Sequence, residues 1–293
     1  MNRAGVMLFL APVLASAHAG EPLAPHDLWS SWELDPGVVI PLVLAAVLYA
    51  RGAQRHAGLT RLQQTCFWAG WLSLAAALIS PIHPLGEALF SAHMTQHEIL
   101  MLISAPLFVL ARPLVTFLWA LPMNWRRALG RFSKMPFAAR TWKRLTDPLS
   151  AWGLHAAAIW AWHVPFLFQL TLRSDLAHMA QHLSFFLSAL LFWWAVFYAH
   201  GSKAYGAAFL YVFTTAIHTG ALGALLTFAP HVWYPAYSRT TELWGLTPLQ
   251  DQQLGGLIMW VPASLVYLAA GLALFAAWLT ESDMRLERAS HAP

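Results

Sequence analysis

Seven long apolar stretches, almost free of charge, constrain this sequence more than anything else in it. They run roughly over Asp35–Ala50, Leu62–Ser80, Gly86–Leu110, Pro148–Phe168, Asp175–Tyr198, Tyr205–Phe228 and Gln252–Leu279. About 20 apolar residues in a helix cross the hydrocarbon core of a bilayer, which is roughly 30 Å thick. Within lipid the backbone must satisfy its own polar groups, so stretches of this kind fold as helices. The expected class is therefore all-α, a polytopic transmembrane bundle. Composition agrees: 58% of the residues are hydrophobic and 10% are charged, against about 25% charged in a typical soluble domain. Many of the 16 tryptophans fall near the ends of the stretches, where an aromatic belt would sit.

Ahead of the first stretch, residues 1–19 read as a secretory signal peptide. Arg3 supplies a positive start, Val6–Leu14 a short apolar core, and Ala15-Ser16-Ala17 or Ala17-His18-Ala19 a small-residue cleavage site. An uncleaved anchor helix is the other reading of the same segment. Residues 20–34 form an extracytoplasmic segment, residues 35–280 the membrane domain, and residues 281–293 a cytoplasmic tail.

The net charge of +4 acts through its distribution and gives no reason to expect a nucleic-acid partner. With the N-terminus outside and strict alternation, Arg51, Arg55, Arg61, Arg126, Arg127, Arg131, Lys134, Arg140, Lys143, Arg144, Lys203, Arg285 and Arg288 all fall inside. Only Arg173 and Arg239 fall outside, as the positive-inside rule expects. The basic loop 122–147 acts as a topology anchor and offers charge to anionic membrane lipids. Pro113–Leu121 is apolar but too short to cross. The one cysteine, Cys66, sits in an apolar stretch and reads as a small buried hydrophobe. No disulfide or CxxC site is available within the chain, so metal chemistry falls to His, Met and carboxylates. No nucleophile–base motif, phosphate loop or nucleotide fingerprint is present.

Histidine is costly inside a membrane unless it is paired or functional. Two copies of the pattern AHMxQH lie 85 residues apart, at Ala92–His97 and Ala177–His182, near the outer ends of the third and fifth stretches. Within each copy the histidines are spaced i,i+4 and share one helix face. At 1.5 Å rise per residue, His93 lies about 10 Å below the outer end of its stretch and His97 about one turn deeper. His178 and His182 fall within about 10 Å of the same surface, and His218 about 15 Å deep on the sixth stretch. His163 lies near the outer end of the fourth, while His83 and His231 fall in outer loops. Four imidazoles on two facing helices, with Met101 one turn further in, suit a transition metal. His163 and His218 are expected as accessory ligands. Asp251 opens the seventh stretch, where it either orients a ligand histidine or complements its own helix dipole. If cleavage follows Ala17, His18 becomes a terminal chelating residue. Met94 and Met179 point about 100° away from the preceding histidine and are read as packing or lipid-facing. His155 is read as a packing or hydrogen-bonding residue.

The segments HMTQHEILMLISAPL (His93–Leu107), WHVPFLFQLTL (Trp162–Leu172), HMAQHLSFFLSALLFWW (His178–Trp194), TFAPHVWYPAY (Thr227–Tyr237) and DQQLGGLIMWVP (Asp251–Pro262) together resemble the CtaG family. These are multi-spanning cytochrome c oxidase assembly factors associated with caa-type oxidases. The resemblance implies a bacterial plasma-membrane protein that is neither enzyme nor pump. It implies copper handling for a haem–copper cytochrome oxidase, with oxidase subunits and an extracytoplasmic copper donor protein as partners. The family's motif histidines map onto His93, His97, His163, His178 and His182. Two departures stand out: Glu98 where an apolar residue is usual, and Ala111-Arg112 in place of a Leu-Gly pair before the proline. From the residues alone, a bis-histidine haem protein carrying electrons and a copper permease are the competing expectations. A ligand set confined to one leaflet speaks against both.

Overall fold

A computed structural model describes residues 23–199 and 205–290, and among these every regular element is a helix. The signal segment, His18, His200 and Lys203 lie outside the described residues, as do the side chains of the tail. The helices are α1 (Pro36–Ala53), α2 (Arg61–Ile79), α3 (Ile82–Ala88), α4 (Phe90–Ala111), α5 (Pro113–Ala120), α6 (Met123–Ser133), α7 (Pro136–Leu145), α8 (Pro148–Trp162), α9 (Pro165–Thr171), α10 (Asp175–Tyr198), α11 (Tyr205–Thr227) and α12 (Pro248–Ser290). Among the described residues, α1, α4, α10, α11 and α12 are long and apolar enough to cross a membrane; α2 with α3, bent by 42°, makes a sixth candidate.

The fourth expected stretch is the exception, because it is broken. Its α8 has only 15 residues, about 22 Å of helix. Pro165 has no N–H to donate and disfavours helical geometry at the residue before it. Val164 accordingly turns to φ −62°, ψ 125°, and α9 starts afresh at the proline. The third stretch is also shorter than expected. Leu89 is extended (φ −132°, ψ 129°) and divides α3 from α4, so His93 lies in the first turn of α4 rather than deep in a longer helix.

Side-chain bonds between helices give their directions. Trp71 Nε1 donates to Leu42 O and Tyr49 Oη to Gln63 O, so α1 and α2 are antiparallel. Ser73 meets Ser104 at 2.8 Å while Gln96 Nε2 donates to Ala77 O at 2.7 Å, which sets α2 antiparallel to α4. His155 pairs with Ser188 at 3.1 Å and Trp162 with Ser184 at 2.7 Å, so α8 opposes α10. Gly223 lies against Gly256, and Phe209 against Phe275, so α11 opposes α12. The start of α12 meets the start of α4. Direction alternates along the chain, and α4, with 67% of its apolar window buried, is the central helix.

Two local features shape α4. Ile99–Ser104 is π-helical and follows Glu98, whose side chain is buried with Oε2 lacking a hydrogen-bond partner. A π segment rotates every later residue relative to the i,i+4 column. Met101 accordingly packs in the main apolar core, and its carbonyl accepts from Trp193 Nε1 at 2.9 Å. The helix ends at Arg112 in the left-handed conformation (φ 48°, ψ 52°). Glycine takes that conformation without cost, which gives the Leu-Gly departure a structural meaning. The Arg112 guanidinium lies 4.0 Å above the Tyr198 ring, a contact glycine lacks. Cys66 is buried with Tyr49, Phe67 and Ala111, as a small hydrophobe would be. Met94 is fully buried in the core, whereas Met179 is 56% exposed, as a lipid-facing residue would be.

Candidate metal centre

His93 is the fourth residue of α4 and His178 the fourth of α10. The two AHMxQH copies therefore occupy the same register, and they meet side by side. Ring centroids are 5.3 Å apart for His93–His178 and 5.4 Å for His97–His182. Along each helix the i,i+4 pairs are 4.4 Å (His93–His97) and 4.3 Å (His178–His182). Pairing of first with first and second with second requires parallel helices in register.

Among the described residues, histidine nitrogens alone form two groups of three, each within 4.8 Å: His93, His97 and His182; and His83, His178 and His182. The four central imidazoles are thus brought together as their spacing suggests. The fifth, His83 in α3, was placed in an outer loop by the sequence. It stacks 5.1 Å from His178 and 5.9 Å from His182. Its position in a short segment outside the long apolar stretches says nothing about what it faces.

The electrostatic character of the site comes from atoms without partners. His97 is 1% exposed, and neither of its ring nitrogens has a hydrogen-bond partner. Nε2 of His163, His178 and His182 are likewise buried and unpartnered. More than nine in ten buried polar groups are satisfied in native proteins, so a concentration of exceptions calls for an explanation. His93 is oriented from the other motif copy: its Nε2 donates to Gln181 Oε1 at 3.1 Å. That bond assigns the proton to Nε2 and leaves a lone pair on Nδ1.

The accessory residues separate. His163 Nδ1 is bonded to Ile159 O at 2.7 Å, with its ring 6.2 Å from Phe185, against which His97 also packs at 4.6 Å. His163 borders the cluster but belongs to neither group of three. His218 accepts from Trp160 Nε1 at 3.3 Å and lies edge-on to Trp152; it too is in neither group. Its expected ligand role is not one this geometry favours, because that face of α11 turns to α8. Asp251 touches no histidine ring. Its carboxylate accepts from Phe90 N (2.6 Å), Ser91 N (3.1 Å) and Ser91 Oγ (2.5 Å). It thereby caps α4 from another helix, satisfying N–H groups that a helix start leaves free. Gln252 and Gln253 tie down the loop beside it, through Trp233 N, His231 O and Ala229 O. His155, bonded to Ser188, has the hydrogen-bonding role expected of it.

At the exposed edge of the cluster, Glu33 Oε2 accepts from His83 Nδ1 at 2.8 Å. That bond holds the Glu33 carboxyl below the usual carboxylate range, against the opposing effect of partial burial.

Comparisons with known proteins cover most of the chain. A family profile described as cytochrome c oxidase caa3 assembly factor matches residues 44–281. Uncharacterized proteins of Mycobacterium bovis and Mycobacterium tuberculosis are each 27% identical over 270 residues, which is 84% of this chain and 39% of theirs. The chain thus spans well under half the length of these relatives. No solved structure matches.

Proposed function

The chain belongs to the cytochrome c oxidase caa3 assembly factor family, and on that premise we propose that it serves oxidase assembly by holding and passing on a copper ion. The observation that carries the reading is the set of buried ring nitrogens without partners on His97, His163, His178 and His182. Burying a polar group unpaired costs on the order of 1–3 kcal/mol, so several in one place weigh heavily unless a ligand completes them. Neutral imidazole is both the cheaper form to bury and the competent ligand. Imidazole suits copper, and the absence of thiolate argues against a closed structural zinc site. Copper here is cargo. Six imidazoles at or beside the cluster exceed what one ion needs, and surplus ligands favour exchange over permanent retention.

A bis-histidine haem is the less suitable occupant. The rings lie 4.3–6.0 Å apart, stacked and edge-on among themselves, which suits an ion between them better than a flat macrocycle separating two of them. The protein carries its ion without catalysing a reaction, in a bacterial plasma membrane, with the cluster toward the extracytoplasmic side. An extracytoplasmic donor would supply the copper and the oxidase subunits would receive it.

The test is a double substitution, H93A/H97A. It removes two imidazoles from the group that also contains His182, while Ala is easier to bury than His. Membrane insertion is expected to be normal, copper bound by the purified protein to fall at least tenfold, and oxidase activity in cells to fall with it. Normal copper binding together with full oxidase activity in an inserted variant would overturn the assignment. A Soret band in the wild-type protein would do the same in favour of haem.

A further inference from the structure

The buried imidazoles are continuous with a second donor set that reaches the surface. Glu33, His83 and Glu87 present possible ligand atoms within 4.8 Å of one another, and His83 is also in the group with His178 and His182. Exposure falls along this line: the Glu33 side chain is 44% exposed and that of His83 13%, while His93 has no exposed surface. Behind His83 stand His178 and His182, buried, each with an unpartnered Nε2.

We propose that Glu33, His83 and Glu87 form a loading station that takes copper from the extracytoplasmic side and hands it to the buried histidines. This rests on the copper reading of those histidines. A hydrated cation must lose water to enter a low-dielectric bundle, and the cost is severe if it enters without partners. Two carboxylates at the mouth attract the ion and replace part of its hydration, as charges around a cleft raise encounter rates. A mixed imidazole and carboxylate set suits Cu(II). Glu33 has a second task. By accepting from Nδ1–H of His83 it assigns the proton to that nitrogen and leaves Nε2 as a ligand, the carboxylate–histidine–metal arrangement.

Transfer then proceeds by exchange of ligands. The ion leaves the carboxylates while retaining His83, gains His178 and His182, then gives up His83 and His178 as His93 and His97 bind. His83 joins the first group to the second and His182 the second to the third, so the ion is never without a protein ligand. No electron moves, and each ligand bond broken is replaced by another.

The experiment uses the full chain in lipid nanodiscs and Cu(II) itself as probe. Loading is stopped at timed intervals with excess chelator, and the chelator-resistant copper is counted. In the isosteric variant E33Q/E87Q, copper bound at saturation should equal that of wild type while the loading rate falls about tenfold, a magnitude within the range of electrostatic steering. The deficit should shrink in high salt, as wild type slows toward the variant. Loading of E33Q/E87Q at the wild-type rate overturns the station and leaves the buried site standing, since H93A/H97A tests that site separately by capacity. Loss of capacity as well as rate in E33Q/E87Q also overturns it, because the carboxylates would then hold the resident ion or the fold. Full copper capacity in H93A/H97A removes the buried site and the station with it.

Discussion

Of the clustered imidazoles, that of His182 is the one shared by the two all-histidine groups among the described residues. Its loss should therefore be felt at either position of the ion. Among single variants, H182A is expected to lower chelator-resistant copper most, at least as much as H93A. H218A should leave copper unchanged, because His218 stands against α8, where its Nδ1 accepts from Trp160, and is in neither histidine group. Counting bound copper across the three variants checks the order, and a deficit in H218A as large as in H182A would contradict it. Arg112 poses a different residue-scale question, one of backbone strain. A left-handed residue with a Cβ costs about 1 kcal/mol more than glycine, and the Tyr198 contact offsets part of that cost here. R112A keeps the strain and loses the contact, whereas R112G loses both. R112A should consequently unfold at lower temperature than R112G, with a gap of about 1 kcal/mol.

At the scale of elements, α4 is held in place by a carboxylate that belongs to α12. Asp251 has no exposed surface and accepts three bonds from the first turn of α4. His93 is two residues beyond Ser91, so the cap also sets where the first imidazole stands. Hydrogen bonds to a charged group contribute about 1.5–3 kcal/mol. D251A should thus lose about 2 kcal/mol or more of stability and weaken copper binding through the displaced start of α4. Thermal unfolding with and without copper reads both effects, and unchanged copper affinity would separate the cap from the site. The hairpin of α6 and α7 makes another element-scale case. Both helices lack buried residues, and they expose Trp125, Leu129, Phe132 and Phe137 beside Arg127, Arg131, Arg140 and Lys143. Such helices lie in a membrane interface and favour anionic lipid. Brominated anionic lipid should quench Trp125 fluorescence more strongly than the neutral lipid does, with the difference fading at high salt. A W125F variant identifies the contribution of this residue.

The whole molecule answers a question that helix length leaves open. Among the described residues five or six helices pass as spans by length and apolarity, yet α4 and α10 pack in parallel register. Between the end of one and the start of the other the chain must return the full length of α4, about 33 Å for its 22 residues. The return is made by α8 and α9, the broken pair. Reporter fusions at Lys134 and Arg173 should accordingly report opposite sides, cytoplasm for the first; reports from one side would make α8 and α9 a re-entrant loop. Packing sets a second whole-molecule condition where α11 meets α12. A Cβ added to Gly256 would stand 2.6 Å from Thr227 N and 2.7 Å from Leu226 Cβ. Close approach of this kind is how membrane helices gain packing contacts. G256A should force the two apart at a cost of about 1–3 kcal/mol, seen as a lower unfolding temperature, while G130A, with open space around its Cβ, should not.

Hydropathy, charge asymmetry and the two AHMxQH copies suffice, without coordinates, for a helical membrane bundle and for two imidazole pairs on one face each. These are properties of period and composition, which local geometry translates directly. The break at Pro165 was missed, because the apolar run continues through it to Phe168 and hydropathy outweighed the steric consequence of a proline inside a span. Four things depended on tertiary structure: that His83 joins the cluster, that His218 turns away from it, that Asp251 caps a helix 160 positions earlier in the chain, and that Met101 leaves the histidine column at a π segment. Each of these depends on which face of one helix meets which face of another. Interhelical register and rotation are set by the packing of many side chains at once, and no window of sequence along a single helix contains that information.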